Sequence, residues 1–516
     1  MILVQRSAVI FFLIWTFITV SFASQIFVST TGNDTTGTIN RIDLPFRTIP
    51  NAISVAVAGD TIYVRGGTYT SSAKISIGTK SGASSSNMCN LWAYPGESPI
   101  LDFSSMAVNS SNRGVSISGS YWYVKGFDIY KAGDNGMYIS GSNNIIELCR
   151  FYENNDTGLQ LDNGASNNQI LNCDSYFNAD LLQGNADGFS PKLNVGTGNY
   201  FYGCRAWQNS DDGWDGLLQS PNTNVSTTIE NCWSFQNGYL KNGALSSGNG
   251  NGFKMGGNNM EHNAILKNCL TFDNKSKGFD QNHDLGSMTL YNCTSYRNTG
   301  YNYSIYEALD TGKILTLTNC MEFGNKRNIG AFAVLTTDSW MNPPFAVAPS
   351  AADFMSLDTT GVRGPRKSDG SLPDINFMHL ASNSQFVNAG TNVGLSFIGT
   401  APDLGCFESS VLTGVTDQSK ASIPNTFTLY QNYPNPFNPS TEIGYHVASA
   451  GVVKISVYDI LGQEVATLVN AQRQPGTYTV EWNAARMSSG MYFARLLLLT
   501  GKGQSFTQTR KMMFTK

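Results

Sequence analysis

Asn172-Cys173-Asp174-Ser175-Tyr176-Phe177-Asn178 returns as Asn231-Cys232-Trp233-Ser234-Phe235-Gln236-Asn237, and that recurrence decides the fold. Further copies run from Asn268 to Asn274 and from Asn292 to Asn298, with weaker ones around Cys149, Cys204 and Cys320. Successive cysteines are 24, 31, 28, 37, 24 and 27 residues apart. A core period in the twenties with variable insertions is what a β-solenoid gives, because each coil carries short strands and elastic loops. Equivalent positions then stack at the spacing of neighbouring strands, about 4.8 Å, so Asn ladders and aromatic stacks should run along the axis. The leucine signature of a horseshoe is missing, and a propeller blade would need a longer repeat.

A second column precedes each cysteine: Gly136-Met137, Gly158-Leu159, Gly188-Phe189, Gly213-Trp214, Gly252-Phe253 and Gly278-Phe279. Strand alternation turns the residue after each Gly inward and sends its two neighbours to the outer face. Upstream, Pro45-Phe46-Arg47-Thr48-Ile49 leads into an apolar, helix-like stretch to about Val57, suited to capping the open end of a solenoid. Ala58 to Val64 reads as the start of the first strand. Residues 330 to 410 are loop-rich, and Ala401-Pro402-Asp403-Leu404-Gly405 reads as the closing turn. The expectation is an all-β, right-handed parallel β-helix over residues 24–408 with an N-terminal capping helix.

The first 23 residues read as an export signal. Arg6 supplies the positive start, Ala8 to Val20 are almost uninterruptedly apolar, and Ser21-Phe22-Ala23 gives the small-x-small cleavage pattern. That run is too short for a membrane anchor. Export would allow disulfides, but nine cysteines is an odd number. Seven of them share one phase of the repeat, which reads as a stack of small buried hydrophobes. A formal charge of -4 with no basic run argues against a nucleic-acid partner.

A Ser/Thr/Gly/Asp linker spans 409–422, and residues 423–516 change character. Strand-like runs at Val452–Tyr458, Gly476–Trp482 and Gly490–Leu498 follow Tyr433-Pro434-Asn435-Pro436-Phe437-Asn438-Pro439, with no cysteine. This small β-sandwich resembles the C-terminal sorting domain of cargo exported by the type IX secretion system of Bacteroidetes-like bacteria. The resemblance implies that export machinery as a partner. An accessory carbohydrate-binding sandwich is the alternative.

Chemistry concentrates on consecutive coils of the glycine column. Asp187 precedes Gly188, and Asp211-Asp212 precede Gly213, with Asp215 two residues after it. Asp-Gly pairs are also ordinary turn formers. Four carboxylates within a patch roughly 5 to 8 Å across would repel, and a hard cation with oxygen ligands relieves this, Ca2+ tolerating irregular cages better than Mg2+. On the next coil, Asn249-Gly250-Asn251-Gly252-Phe253-Lys254-Met255-Gly256-Gly257 puts Lys254 at the phase of Asp215. A cation beside it favours the neutral amine, which makes Lys254 a candidate Brønsted base. Such a pair suits β-elimination from a polyuronide, whose C5 proton becomes acidic once the uronate charge is neutralised. Lys192, Arg205, Lys277, Asp280 and His283 are further candidates for lining a substrate groove. His262, His283, His379 and His446 form no metal-binding spacing.

With these residues in view, residues 24 to about 408 resemble polysaccharide lyase family 9, the β-helical pectate lyases. The resemblance implies that Asp187, Asp211, Asp212 and Asp215 hold calcium and that Lys254 is the base. It further implies a secreted, monomeric enzyme acting on anionic plant cell-wall pectate. Members act on other polyuronides or on rhamnogalacturonan, so those substrates stay open. So do a β-helical hydrolase, although its Gly-His-Gly and Arg-x-Lys segments are missing here, and a non-catalytic glycan-binding adhesin.

Overall fold

The computed structural model describes residues 23–78, 80–219, 225–324, 326–409 and, with short interruptions, 428–515. The segment read as an export signal, up to residue 22, and most of the linker lie outside them. Among the described residues, parallel sheets of twelve, ten and ten strands wind as a right-handed β-helix. Each coil visits the three in turn. One coil runs through Asn199–Tyr202 in the first sheet, Arg205–Trp207 in the second and Trp214–Asp215 in the third.

The repeat maps onto the corners of the coil. Asn172, Asn231, Asn268, Asn292 and Asn319 sit just before their cysteines with φ between 50° and 59°. This is the left-handed region that Asn tolerates better than most residues. Two residues suffice to turn from the first sheet to the second, and the cysteine fills the inside of the bend. All nine cysteines are buried and none is in a disulfide, in keeping with the small-hydrophobe reading.

The second Asn of each repeat forms a buried ladder. Asn154 donates to Asn178, Asn178 to Asn209, Asn209 to Asn237, Asn237 to Asn274 and Asn274 to Asn298, at 2.8–3.0 Å. Each buried amide thus finds its partner one coil away. Aromatic rings stack in parallel with it. Phe189, Trp214, Phe253, Phe279 and Tyr303 lie inside, with centroids 4.8 to 5.3 Å apart.

Capping follows the expected plan. The helix Ile49–Val55 buries Ile49, Ala52 and Ile53, and the Thr48 side chain accepts the Asn51 N–H at its start. One expectation is corrected: the coil does not begin at Ala58–Val64. Gln25–Val28 precedes it and pairs in parallel with Thr61–Val64. Four residues carry too few alternations to announce a strand by themselves.

Beyond the last coil, the loop-rich segment is not a simple tail. Phe345, Phe354, Val362, Phe377, Leu380 and Phe386 pack against Trp207, Trp233, Phe235, Leu270 and Phe272 on the outer face of the second sheet. The closing turn joins this cover: Gly405 N–H donates to Asn319 O and Cys406 N–H to Thr294 Oγ1.

The chain divides into two compact units. Residues up to Thr391, with Leu404–Phe407, form one; Asn392–Asp403 and Glu408 onward form the other. In the second unit, two antiparallel sheets share a core containing Ile443, Tyr445, Ile455, Trp482, Leu496 and Phe514. Strands Gly451–Tyr458, Gly476–Asn483 and Gly490–Thr500 match the expected runs within two residues. Of the Tyr433–Pro439 core, Asn435 and Phe437–Pro439 are described, and Phe437 packs on Trp482 and Phe514. No helix among the described residues is long and apolar enough to cross a membrane.

Candidate active site

The third sheet is where the glycine column becomes chemistry. A Cβ on Gly213 would stand 1.9 Å from Ser234 Oγ and 2.6 Å from Gly252 O, so only glycine lets adjacent coils close up there. The residues after each glycine, Phe189, Trp214, Phe253 and Phe279, fill the interior. The next residues therefore lie on the outer face, and register makes them neighbours. Asp215 pairs with Lys254, and Lys254 with Asp280.

Asp187, Asp212 and Asp215 converge so closely that one oxygen from each lies within 4.8 Å of the others. Asp187 and Asp212 are fully buried, Asp215 is 4% exposed, and Lys192 and Lys254 are 6% exposed. Lys254 Nζ stands 3.1 Å from Asp212 Oδ2 and 3.3 Å from Asp215 Oδ1. Lys192 Nζ stands 2.7 Å from Asp187 Oδ2 and 3.4 Å from Asp215 Oδ2. Three carboxyl groups therefore face two ammoniums out of water.

Neighbouring coils fix the carboxylates. Asp212 N–H donates to Asp187 Oδ1, and both the N–H and the side-chain amide of Asn251 donate to Asp212 Oδ1. Lys277 N–H in turn donates to Asn251 Oδ1. The Ser190 hydroxyl donates to Asp187 Oδ2 at 2.7 Å, and Leu217 N–H to Asp215 Oδ1. Asp187 is thereby held at both oxygens, and Asp212 and Asp215 are each held by backbone N–H groups at Oδ1. Asp212 Oδ2 is buried and meets no donor in good hydrogen-bond geometry, its close partner being the Lys254 ammonium. Buried carboxylate oxygens converging from three acids, one of them held only by an ammonium, are a donor set for a hard cation. The residues fit such an ion.

Electrostatics agree with that reading. Burial, then the charges of Asp212 and Asp187, pushes Asp211 up to about 9. Asp212 is pushed up to about 7, by burial against the pull of Lys254. For Lys254, burial works against the ammonium, but Asp212, Asp215, Asp187 and Asp211 outweigh it and raise its pKa. Lys192 is raised in the same manner by Asp187, Asp215 and Asp156. Without a cation, the acids hold both lysines protonated.

Other expected site residues fall in different places. Asp211 is buried beside the trio without being one of the three converging acids, and its Oδ1 accepts the Asn249 N–H. Asp280 is buried on the same outer face, paired with half-exposed Lys277 at 3.0 Å. His283 is exposed and contacts Glu307. Arg205 is not on this sheet. Its guanidinium lies under the C-terminal cover, bidentate to Asp174 and donating to the carbonyls of Val362 and Gly364.

Three contributors escaped the sequence reading: Ser190, Asn251 and His262. Asn251 occupies the column of Asp187 and Asp212, and following that column one coil further would have found it. Buried His262 had no such signal. Its Nδ1–H donates to Gly216 O at 2.7 Å and its Nε2 accepts from the Thr227 hydroxyl at 2.8 Å, while burial lowers its pKa and keeps it neutral. It braces the backbone immediately after Asp215.

A coil of this kind, with acids and amines packed on one outer face, places the protein among the parallel β-helix enzymes. Residues 26–328 match the family model described as Pel9A-like, right handed beta helix region, and the chain belongs to that family of polysaccharide lyases. It is 40% identical over 370 residues to "Pectate lyase L" of Dickeya chrysanthemi, covering 69% of this chain and 84% of that one. The crystal structure of pectate lyase Pel9A superimposes with a TM-score of 0.68 at 36% identity, over 76% of this chain and 97% of the other. A structure titled "Rhamnogalacturonan lyase" gives 0.60 at 28% identity, over 70% and 97%. Residues 431–513 match the secretion system C-terminal sorting domain, which marks the chain for export by the type IX route.

Proposed function

We propose that the protein is a secreted, calcium-dependent pectate lyase that cleaves (1→4)-linked galacturonan by β-elimination, working as a monomer. Asp187, Asp211, Asp212 and Asp215 hold the ion, and Lys254 removes the C5 proton. Lys192, Lys277, Asp280 and His283 remain candidates for the surrounding groove. The observation that carries this reading is the 3.1 Å approach of Lys254 Nζ to Asp212 Oδ2, inside a cluster where oxygens of Asp187, Asp212 and Asp215 converge within 4.8 Å. The relatives named pectate lyase support the substrate class.

A bound calcium ion would offset the aspartate charge and neutralise the uronate carboxylate, acidifying the C5 proton. With such an ion held by them, Asp212 and Asp215 would no longer keep a proton on Lys254. Its free amine would take the C5 proton, the electrons of that bond would form the C4–C5 double bond, and the glycosidic oxygen would leave C4 with the bonding pair and take a proton from water. Asn251 and Ser190 keep the carboxylates aimed, so little reorganisation is needed as charge develops.

The test is incubation with polygalacturonate at alkaline pH, with calcium or with chelator, following ultraviolet absorbance of the unsaturated product. The expected result is absorbance that grows with calcium and stops with chelator. New reducing ends without the chromophore would indicate hydrolysis, and no new ends would indicate a glycan-binding coil. A second reading, rhamnogalacturonan as substrate, is supported by the 28% identical structure of that title. Faster turnover of that polymer would select it.

A further inference from the structure

Away from the acid cluster, a cavity of about 520 Å³ opens where the second sheet turns toward the third. Its size lies in the range of small-ligand sites. Gln208, Gln236, Asp273 and Arg297 occupy the same left-handed turn position on successive coils, with φ of 49° to 54°, so their side chains form one wall. Tyr239 and Lys241 come from the insertion between Phe235 and Phe253, and Arg363 reaches in from the segment covering the second sheet.

The charges around this cavity do not cancel. Arg297 is bidentate to Asp273, at 2.5 and 2.7 Å, and Lys241 pairs with Glu153 at 2.6 Å. Arg363 makes no ion pair among the described residues. Its guanidinium donates to Gln236 Oε1 and stands 6.0 Å over the Phe235 ring. One planar, bidentate donor is thus left without an anion, among amides and a phenol. Amides exchange hydrogen bonds with sugar hydroxyls, an aromatic ring offers a face to a sugar, and a guanidinium fits a carboxylate.

We infer that this cavity is a second saccharide-binding site, taking a uronate unit of an acidic polysaccharide with its carboxylate on Arg363. The identity of the polymer as the enzyme's own substrate rests on the function proposed above. The site is linked to that function along the chain. Gln208 lies three residues before Asp211, and the insertion carrying Tyr239 and Lys241 ends at Asn249, whose N–H donates to Asp211 Oδ1.

The experiment is calorimetric titration of the full chain with trigalacturonate in excess chelator, which separates binding from calcium-dependent turnover, comparing wild type with Arg363→Gln and, independently, Lys241→Gln. Loss of one charge-assisted carboxylate contact should weaken binding by about tenfold in Arg363→Gln. Circular dichroism matching wild type checks that the variants are folded. Equal affinity in wild type and both variants, or no binding by wild type, overturns the inference. Turnover by Lys254→Ala is read separately, so the elimination mechanism can fail while the cavity still binds, and the reverse.

Discussion

Lys254 and Asp215 are partners in register on adjacent coils of the third sheet, with Nζ 3.3 Å from Oδ1. They are 39 residues apart in the chain. The parallel stacking of coils brings an amine and a carboxylate into contact on the same outer face, and strand alternation puts Trp214 and Phe253 inside beneath them.

Replacing Lys254 with Ala should lower kcat by roughly 10²- to 10⁴-fold, the usual contribution of a positioned base. Calcium affinity should stay the same or rise, because an ammonium competing for Asp212 and Asp215 has gone. Initial rates from product absorbance, with calcium titration of the same variant, check both halves. Near-wild-type turnover would remove the assignment.

Asp212→Asn keeps shape but removes the charge that faces Lys254 and the other two acids. Calcium affinity should fall by at least roughly 100-fold, the upper end of what loss of a supporting contact costs a metal site. Wild type should gain about 2.7 kcal/mol of stability at a calcium concentration a hundred times Kd, and the variant much less at the same concentration. Thermal melts with and without calcium measure the difference.

Calcium binding should strengthen as pH rises from about 6 to 9. Burial, then the neighbouring acids, pushes Asp211 up to about 9, and burial pushes Asp212 up to about 7. Both therefore carry protons in the ion-free protein that binding must release, and above those values no proton competes. Calorimetry in buffers of different ionisation enthalpy counts the protons released. A Kd independent of pH would contradict this.

Arg205→Ala should destabilise the coil by about 3–5 kcal/mol, since it strips a partner from buried Asp174. Arg366, 2.7 Å from the same acid, shares its charge and places the cost toward the lower figure. Denaturant unfolding measures it. A loss of activity in the folded variant, with no loss of stability, would return Arg205 to the groove.

Asn209→Ala interrupts the ladder in its middle. The Asn178 N–H loses its acceptor, at a cost of about 1–3 kcal/mol for a buried group left unsatisfied, while Asn178 Nδ2 keeps Ser175 Oγ and Asn237 Oδ1 keeps the backbone N–H of residue 209. The change should appear as a lower denaturation midpoint with calcium affinity unchanged.

The sequence carried the coil because its signals repeat. Asn172 and its equivalents mark corners that need a left-handed residue, and each later glycine marks a place where adjacent coils leave no room for a side chain. Phase along the Gly column also placed Asp187, Asp212, Asp215 and Lys254 near one another, since position within a period becomes position across a sheet. Gln25–Val28 was not legible in the same way, being a single short strand outside the repeat.

What the sequence by itself determined is the period, hence the solenoid and the shared face of acids and lysine. Tertiary structure alone decided how charge is distributed there. That Lys192 sits on Asp187, that Asn251 and Ser190 aim the carboxylates, and that His262 braces Gly216 depends on distances between side chains of different coils. Arg205 shows the same limit: its place was fixed by a segment some 160 residues later folding over the second sheet. Register places backbones; whether a charged group meets an ion, an acid or solvent depends on what packs over it, and no period in the sequence encodes that.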